Sequence, residues 1–391
     1  MRAKKNILFV AHDSKVEGGA NRSLMSIIDY MNSTNKYKIL VLVPQNKGEF
    51  IEWLEQKKIR YIVAKYKWQL VGQNGNRILK SLKLAFLFVS DFFIAFCTAR
   101  MLKKEKIDII YTNTRVVYIG NFLSMLLKTP HIMHCREFIN EVMHRKAIFF
   151  SESFLNATTT KFIYISEAMR KVYVSLDKNK AEIVYNGIPI LSDDAVINHE
   201  KLLCSGTPKI LLTGRIGEVK GQLDAIQAIN ILRDKYQENV IIYLAGSGGD
   251  SSYNKVLSKY IEDNALKERV VFLGEVKNMS FVRNTVDIEL VCSRFEAFGR
   301  VTIEAMNNGL PLIGANAPAT DEIICDEVNG LLYEVNNPND LARQIDRLIR
   351  DVSLRKKLIQ NERKSVKNKY TDAIMLNHVE RIIDAITGGE S

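Results

Sequence analysis

Residues 209–221 read KILLTGRIGEVKG. The apolar run Lys209–Thr213 ends in a turn with three glycines and two cations, Arg215 and Lys220, five residues apart. A helical pattern begins near Gln222. A short β-rich run that feeds a glycine turn and then a helix opens a βαβ unit, and such units build parallel sheets. The rhythm continues downstream through Val240–Ala245, Val270–Leu273, Asp287–Cys292, Leu312–Ala315 and Gly330–Tyr333. Upstream it runs through Ile7–Ala11, a helix from about Asn21 to Met31, Lys38–Val43 and a helix near Gly48–Lys57. It goes on through Ile107–Thr112, Pro130–His134 and Phe162–Ile165. The expected fold class is α/β, with two Rossmann-like domains. Residues 1–188 would form the first and 189–371 the second, the polar stretch Pro189–Thr207 serving as linker. The chain's 391 residues are enough for two cores of ordinary size. An apolar helical pattern at Asp372–Ile386 can pack on either domain, so 372–391 is free to return to the first. Ligands of open parallel sheets lie beyond the carboxyl ends of the strands, so the cleft between the domains is the expected site.

Composition narrows the class. Five cysteines, Cys97, Cys135, Cys204, Cys292 and Cys325, are scattered and nowhere spaced as CxxC, against a disulfide framework or a zinc site and for a reducing compartment. The basic and then apolar start, MRAKKNILFVAH, reads as a first strand, because Ile7–Ala11 is too short for a signal-peptide core. The net charge of +11 is lopsided. Residues 1–199 carry 30 Lys+Arg against 17 Asp+Glu, and residues 200–391 carry 25 against 27. A basic half joined to a neutral half suggests an anionic partner. No nucleic-acid signature accompanies it, so an anionic membrane or a phosphate-bearing acceptor is the expected partner, against a bland basic surface. The segment Leu84–Phe96, LAFLFVSDFFIAF, is apolar almost all round and flanked by Lys80, Lys83, Arg100, Lys103 and Lys104. It is too short and too polar at its centre to span a bilayer. It reads as a buried helix, with a monotopic membrane contact as the sharper alternative.

The strongest chemical signal is Ser293–Met306, SRFEAFGRVTIEAM, closing in Asn308-Gly309-Leu310-Pro311. A strand ends, a loop carries Glu296, and a helix starts near Gly299 and stops at Gly309 before Pro311. Its first amides, around Phe298, Gly299, Arg300 and Val301, suit a phosphate. Glu304 lies one turn into that helix. A carboxylate so near a diphosphate is tolerated where hydroxyls donate to it, and sugars supply hydroxyls. Arg215 and Lys220 suit the diphosphate itself. Asp287-Ile288-Glu289 looks like a metal-binding Asp-x-Asp but opens an apolar strand and reads as structural. Gly246–Gly249 lacks the dinucleotide pattern.

These residues resemble the retaining glycosyltransferases of the GT-B fold, family 4. The match rests on Gly214-Arg215…Lys220-Gly221, on the Glu-x7-Glu spacing of Glu296 and Glu304, and on Glu304-Ala305-Met306…Gly309-Leu310-Pro311. Asn329–Leu332 adds to it. The likeness spans about Lys209 to Ile349. More faintly it takes in Gly18-Gly19-Ala20, Ile163–Ser166 and the hinge Val184–Ile188. It implies that Gly214, Arg215 and Lys220 bind the donor diphosphate. Glu304 would take the ribose hydroxyls and Glu296 the hydroxyls of the transferred sugar. The backbone of Phe298, Gly299, Arg300 and Val301 would lie alongside, with Val276, in the loop Gly274–Met279, near the nucleobase. Gly19 would let the N-terminal backbone approach the sugar, and His134, read as a strand-end residue, would stand beside it. The implied activity is a hexosyl or N-acetylhexosaminyl transfer from a nucleotide diphosphate sugar, UDP being the expected carrier, to a glycan or polyprenyl-linked acceptor. It needs no metal and no other cofactor, and takes place in the cytoplasm or at the inner face of the cell membrane. Two departures bear on the donor pocket: Ala317–Glu322 stands where relatives carry a Gly-Gly pair, and Arg300 where many have an aliphatic residue. The rival reading is a non-catalytic nucleotide-sugar-binding subunit that supports a partner transferase.

Overall fold

The computed structural model describes residues 4–16, 19–72, 76–139, 145–146, 151–173, 175–192, 206–249 and 251–388. Gly18, Cys204 and most of the expected linker lie outside these. The chain divides into two compact units, one of Met1–Gly187 with Asp372–Ser391 and the other of Ile188–Thr371.

The first unit begins β1 (Lys5–Val10), α1 (Gly19–Ser33), β2 (Tyr37–Val43), α2 (Glu49–Gln56) and β3 (Arg60–Val63). It continues with β4 (Val71–Gly72), α3 (Arg77–Leu102), β5 (Ile109–Thr112), α4 (Ile119–Leu127) and β6 (His131–Cys135). β7 (Arg145–Lys146), α5 (Ser151–Thr158), β8 (Lys161–Tyr164), α6 (Glu167–Val172) and β9 (Ala181–Ile183) complete it. Seven of the strands form one sheet in the order β3-β2-β1-β5-β6-β8-β9, and β4 pairs with β7. The order reverses between β1 and β5, both parallel to their neighbours. The central strands are buried on both faces, which is why they read as unbroken apolar runs such as KILVLV.

The second unit holds β10 (Lys209–Thr213), α7 (Gln222–Ile231), β11 (Ile241–Ala245), α8 (Ser251–Asp263), β12 (Val270–Gly274) and α9 (Met279–Arg283). β13 (Ile288–Val291), α10 (Arg300–Asn307), β14 (Leu312–Ala315), α11 (Thr320–Ile323), β15 (Leu331–Tyr333), α12 (Pro338–Arg350) and α13 (Val352–Lys369) follow. Its six parallel strands run β12-β11-β10-β13-β14-β15, so the order reverses between β10 and β13. The start of the expected linker is pinned to this unit: Leu191 N donates to Asn307 Oδ1, and Asn307 Nδ2 donates to the Pro189 carbonyl.

The last helix, α14 (Asp372–Ile386), returns to the first unit. Met375, Val379, Ile382 and Ile383 join the core formed by α1, α2 and β1. Around that seam, Tyr30 and Lys36 reach Glu380, and Lys5 reaches Asp384.

The expectation of a buried helix at 84–96 needs correction. α3 is twice as long, 26 residues, and only one side is covered. That side carries Leu84, Leu87, Asp91, Ala95 and Leu102. Beside it, Phe88 packs edge-on against Phe122 and Phe154. Asp91 is fully buried and accepts from Lys67 N and from Gln69 Nε2. Burial lifts its carboxyl to about 6, against the Gln69 and Lys67 hydrogen bonds that pull it down. An acid with a raised folded pKa contributes its full stability below the unfolded value, here near 4, and loses it as pH rises through about 6. Asp91→Asn keeps the shape and abolishes the charge. Urea midpoints should show the variant more stable than wild type at pH 7, by about 1–2 kcal/mol, with the difference vanishing by pH 4. A gap that is equal at both pH values would show that Asp91 does not titrate in this range.

Candidate active site

In the second unit the chemistry collects at the carboxyl ends of β10 and β13, where the strand order reverses and open sheets bind ligands. After β10 the chain turns through Gly214–Gly217 and a single 3-10 turn, Glu218–Lys220. Gly221 then sits at φ 68° with its backbone against β13's exit: a Cβ there would lie 2.2 Å from the Cys292 carbonyl oxygen. No other residue fits both the left-handed conformation and the contact. Arg294 N donates to the Val219 carbonyl at 2.8 Å, closing the two loops on each other. The result is that Lys220 Nζ pairs with Glu296 Oε1, both part-exposed, bringing together two residues 76 apart in sequence.

The Gly-rich loop after β11, silent in the sequence, props this turn from behind. Gly214 N donates to the Ala245 carbonyl and Ile216 N to that of Ser247. A Cβ on Gly249 would fall 1.4 Å from the Ile216 carbonyl oxygen. Arg215 is exposed, and among the described residues no carboxylate pairs with it, while its carbonyl accepts from Gln222 Nε2.

α10 starts after Gly299, which caps it at φ 83° with no side chain on the first amides. Those amides, from Arg300 and Val301, are the positive end of the helix. Phe298 is buried and packs on Tyr370, so only its backbone can serve a ligand. Arg300 is part-exposed and pairs along its own helix: its Nε lies 2.9 Å from Glu304 Oε1, one turn along. The other oxygen of Glu304 lies 3.4 Å from Arg283 Nη1.

Arg283 was not singled out by sequence reading. It closes α9, is 2% exposed, and forms a two-pronged pair with the wholly buried Glu289 at 2.8 and 3.2 Å. Thr213 Oγ1 donates to the same carboxylate at 2.8 Å. Burial works against the guanidinium's charge, but Glu289 and Glu304 outweigh it and raise its pKa. Glu289 is therefore structural, as its strand position implied, and through Arg283 it helps hold Glu304. The signal present in the sequence was a charge, Glu289, in the middle of a strand whose other residues are apolar. A buried carboxylate requires a cation from elsewhere. A pocket of about 240 Å³ opens beside this group, lined by Lys277, Asn278, Met279, Arg283, Arg300 and Glu304 among others. Val276, next in sequence to the lining residue Lys277, is part-buried against the small apolar cluster of Leu211, Ala245, Val286 and Leu310.

In the first unit the structure corrects one expected position. His134 is not in a strand-end loop but the fourth residue of β6, fully buried. Its Nδ1 meets Tyr111 Oη and, at 3.1 Å, Arg136 Nη2. Since Arg136 can only donate, Nδ1 accepts and the ring proton is assigned to Nε2. Burial, with the Arg136 charge adding to it, holds the ring well below its ordinary pKa, so it stays neutral. Among the described residues Nε2 is buried with no hydrogen-bond partner. The residues at the carboxyl end of β6 are Arg136 and Glu137. Arg136 donates to Asn113 and Asn186 at 2.7 and 2.6 Å, and Glu137 accepts from Thr114 at 2.8 Å. Two charges directly after an apolar strand were the available sign. Gly19 opens α1 and is exposed.

Residues 195–365 match the family of glycosyl transferases group 1. The C-terminal unit is a group 1 glycosyltransferase domain. The chain is 24% identical over 305 residues to an Escherichia coli enzyme, UDP-Gal:alpha-D-GlcNAc-diphosphoundecaprenol alpha-1,3-galactosyltransferase, covering 73% of this chain and 76% of that one. It is also 24% identical over 265 residues to the Staphylococcus aureus capsular polysaccharide biosynthesis glycosyltransferase CapM, covering 68% and 64%. The crystal structure of Anabaena HepE in complex with UDP superposes with a TM-score of 0.77 at 22% identity, over 97% of this chain and 100% of that one. The chain thus has the GT-B fold.

Proposed function

We propose that this glycosyltransferase moves a sugar from a UDP-sugar, held by the second unit, to a glycan or polyprenyl-linked acceptor held by the first, with retention of anomeric configuration. The pathway would be surface polysaccharide or cell-wall glycan synthesis, at the cytoplasmic face of the membrane. The observation that carries this reading is the grouping of Lys220, Glu296, Glu304 and the open amides of α10 at the sheet's reversal point. UDP in the related Anabaena fold and the UDP-galactose donor of the Escherichia coli relative support the choice of nucleotide.

In this scheme Lys220, Arg215 and the amides of Arg300 and Val301 bind the diphosphate and hold its charge as it leaves. No metal is required, since these groups supply the positive charge. Glu304, fixed by Arg283 and Arg300, accepts from the ribose hydroxyls, and the base lies near Val276. Glu296 accepts from hydroxyls of the transferred sugar and positions Lys220. The acceptor hydroxyl attacks the anomeric carbon from the face the diphosphate leaves, and a phosphate oxygen takes its proton.

The test is a thermal shift with UDP, GDP, ADP and dTDP in metal-free buffer. UDP is expected to raise the midpoint by a few degrees at about 100 times its Kd, where ligand linkage gives roughly 2.7 kcal/mol. Glu304→Ala should abolish the rise and leave the unliganded midpoint near that of wild type. A preference for another nucleotide would reassign the base, and silence from all four in folded protein would overturn the donor site.

A further inference from the structure

The exposed side of α3 carries an apolar stripe with no counterpart on the surface of an ordinary soluble helix. Ile78, Leu82, Phe86, Val89, Phe93 and Phe96 recur at steps of three and four, placing them in one line along the helix. Phe86 and Phe93 are 68% and 62% exposed. The buried stripe of Leu84, Leu87, Asp91 and Ala95 lies on the opposite side, so α3 has two apolar faces and the protein covers one. Surface phenylalanines occur singly in soluble proteins, and a continuous ridge marks a contact.

We infer that this ridge is a membrane-docking face, with α3 lying in the plane of an anionic lipid surface. The charges around it select the occupant. Arg77 and Lys83 stand at the amino end, and Arg100, Lys103 and Lys104 at the carboxyl end, all exposed. The one carboxylate inside the helix, Asp91, is buried on the other side. Glu105, just beyond, is already paired with Arg60 and Lys38. Arg100 lies in line with the ridge, its guanidinium 4.6 Å from the centre of the Phe96 ring. That is how a cation sits when its stem is in an apolar layer and its head reaches for phosphate. Acyl chains and anionic headgroups match both features together. A second copy does not. Basic residues at both ends mean that parallel or antiparallel pairing of two α3 ridges puts like charges together.

Among the described residues, 77–105 is long and apolar enough to cross a bilayer by length and composition. Crossing would strip Asp91 from Lys67 and Gln69, and Phe88 from Phe122 and Phe154, so the helix lies on the surface instead. The inference is independent of the donor and acceptor assignment, since it concerns lipid binding alone.

The experiment is flotation of the full chain with phosphatidylcholine vesicles containing one-third phosphatidylglycerol, beside pure phosphatidylcholine. Wild type is expected to float with the anionic vesicles, and Phe86→Ser/Phe93→Ser to partition at least about a hundredfold more weakly, roughly tenfold for each ring. Its melting point should match wild type, because both rings are outside the core. Arg100→Glu/Lys104→Glu should lose the preference for anionic lipid. In a separate variant, Phe93→Trp fluorescence should shift to the blue on adding vesicles and be quenched by brominated acyl chains. Equal flotation of wild type and the serine variant, or no flotation of wild type, would overturn the proposal. So would a wild-type dimer that the serine substitutions convert to monomer, which would assign the ridge to a second copy.

Discussion

Lys220→Ala is expected to lower kcat by two to three orders of magnitude, about the effect of removing one preorganised donor from developing negative charge. Its ammonium is the cation that the 3-10 turn, Gly221 and the Arg294–Val219 hydrogen bond bring to the reversal point of the second sheet. It already rests on Glu296, so the substitution also releases a carboxylate expected to bind the sugar. The stability cost should be small. The Lys220 and Glu296 side chains are 30% and 17% exposed, and a solvent-reached pair of this kind contributes on the order of 1 kcal/mol or less. The measurement is UDP release from a UDP-sugar, with acceptor or by slower transfer to water, beside a melting curve. Lys220→Arg is expected to recover only part of the rate, since the planar guanidinium cannot take the compact ammonium's place beside Glu296. Wild-type kinetics in a folded Lys220→Ala protein would remove Lys220 from the mechanism.

The second large effect is on stability. Arg283→Met should destabilise the second unit by about 3–5 kcal/mol, because it strands the Glu289 carboxylate in the core with only Thr213 donating to it. The cost comes from the carboxylate left behind, so removing both partners should undo most of it. Arg283→Met/Glu289→Leu is expected to regain the greater part of the lost stability in urea titrations. The double variant still lacks the guanidinium that holds Glu304, and its UDP-induced thermal shift should remain well below that of wild type. If the double variant were no more stable than the single one, the buried pair would not be the source of the effect. If it regained the full UDP response, Arg283 would serve folding alone.

These two residues show where the sequence was legible. Lys220 stands in a local pattern of strand, glycine turn and helix, and local backbone chemistry is written locally: β10 begins and ends at the residues its apolar run indicates. Arg283 stands in MSFVRN, a stretch with no period and no motif. Its importance comes from Glu289 and Glu304, which reach it only once β13 and α10 are in place. His134 shows the same limit from the other direction. A histidine near a strand end is read from sequence to within a residue or two, yet that margin is the difference between a buried, neutral ring in β6 and an exposed one in the loop after it. The residues that occupy that loop, Arg136 and Glu137, were next to it all along.

Apolar periodicity and turn residues were enough to determine two parallel α/β sheets, most strand positions, and the glycine, lysine and glutamate cluster of the second unit. Each of those depends on neighbours within about ten residues. Tertiary structure alone decided the rest. The return of α14 to the first core follows from which apolar face remained open there, and nothing in Asp372–Ile386 specifies it. The bracing of the Gly214 turn by Gly249 and the holding of Glu304 by Arg283 depend on contacts between segments far apart in the chain. α3 is the plainest case. A helix with two opposed apolar stripes reads as apolar all round, and only the packing of α4 and the burial of Asp91 determine which stripe the protein keeps and which it leaves to the outside.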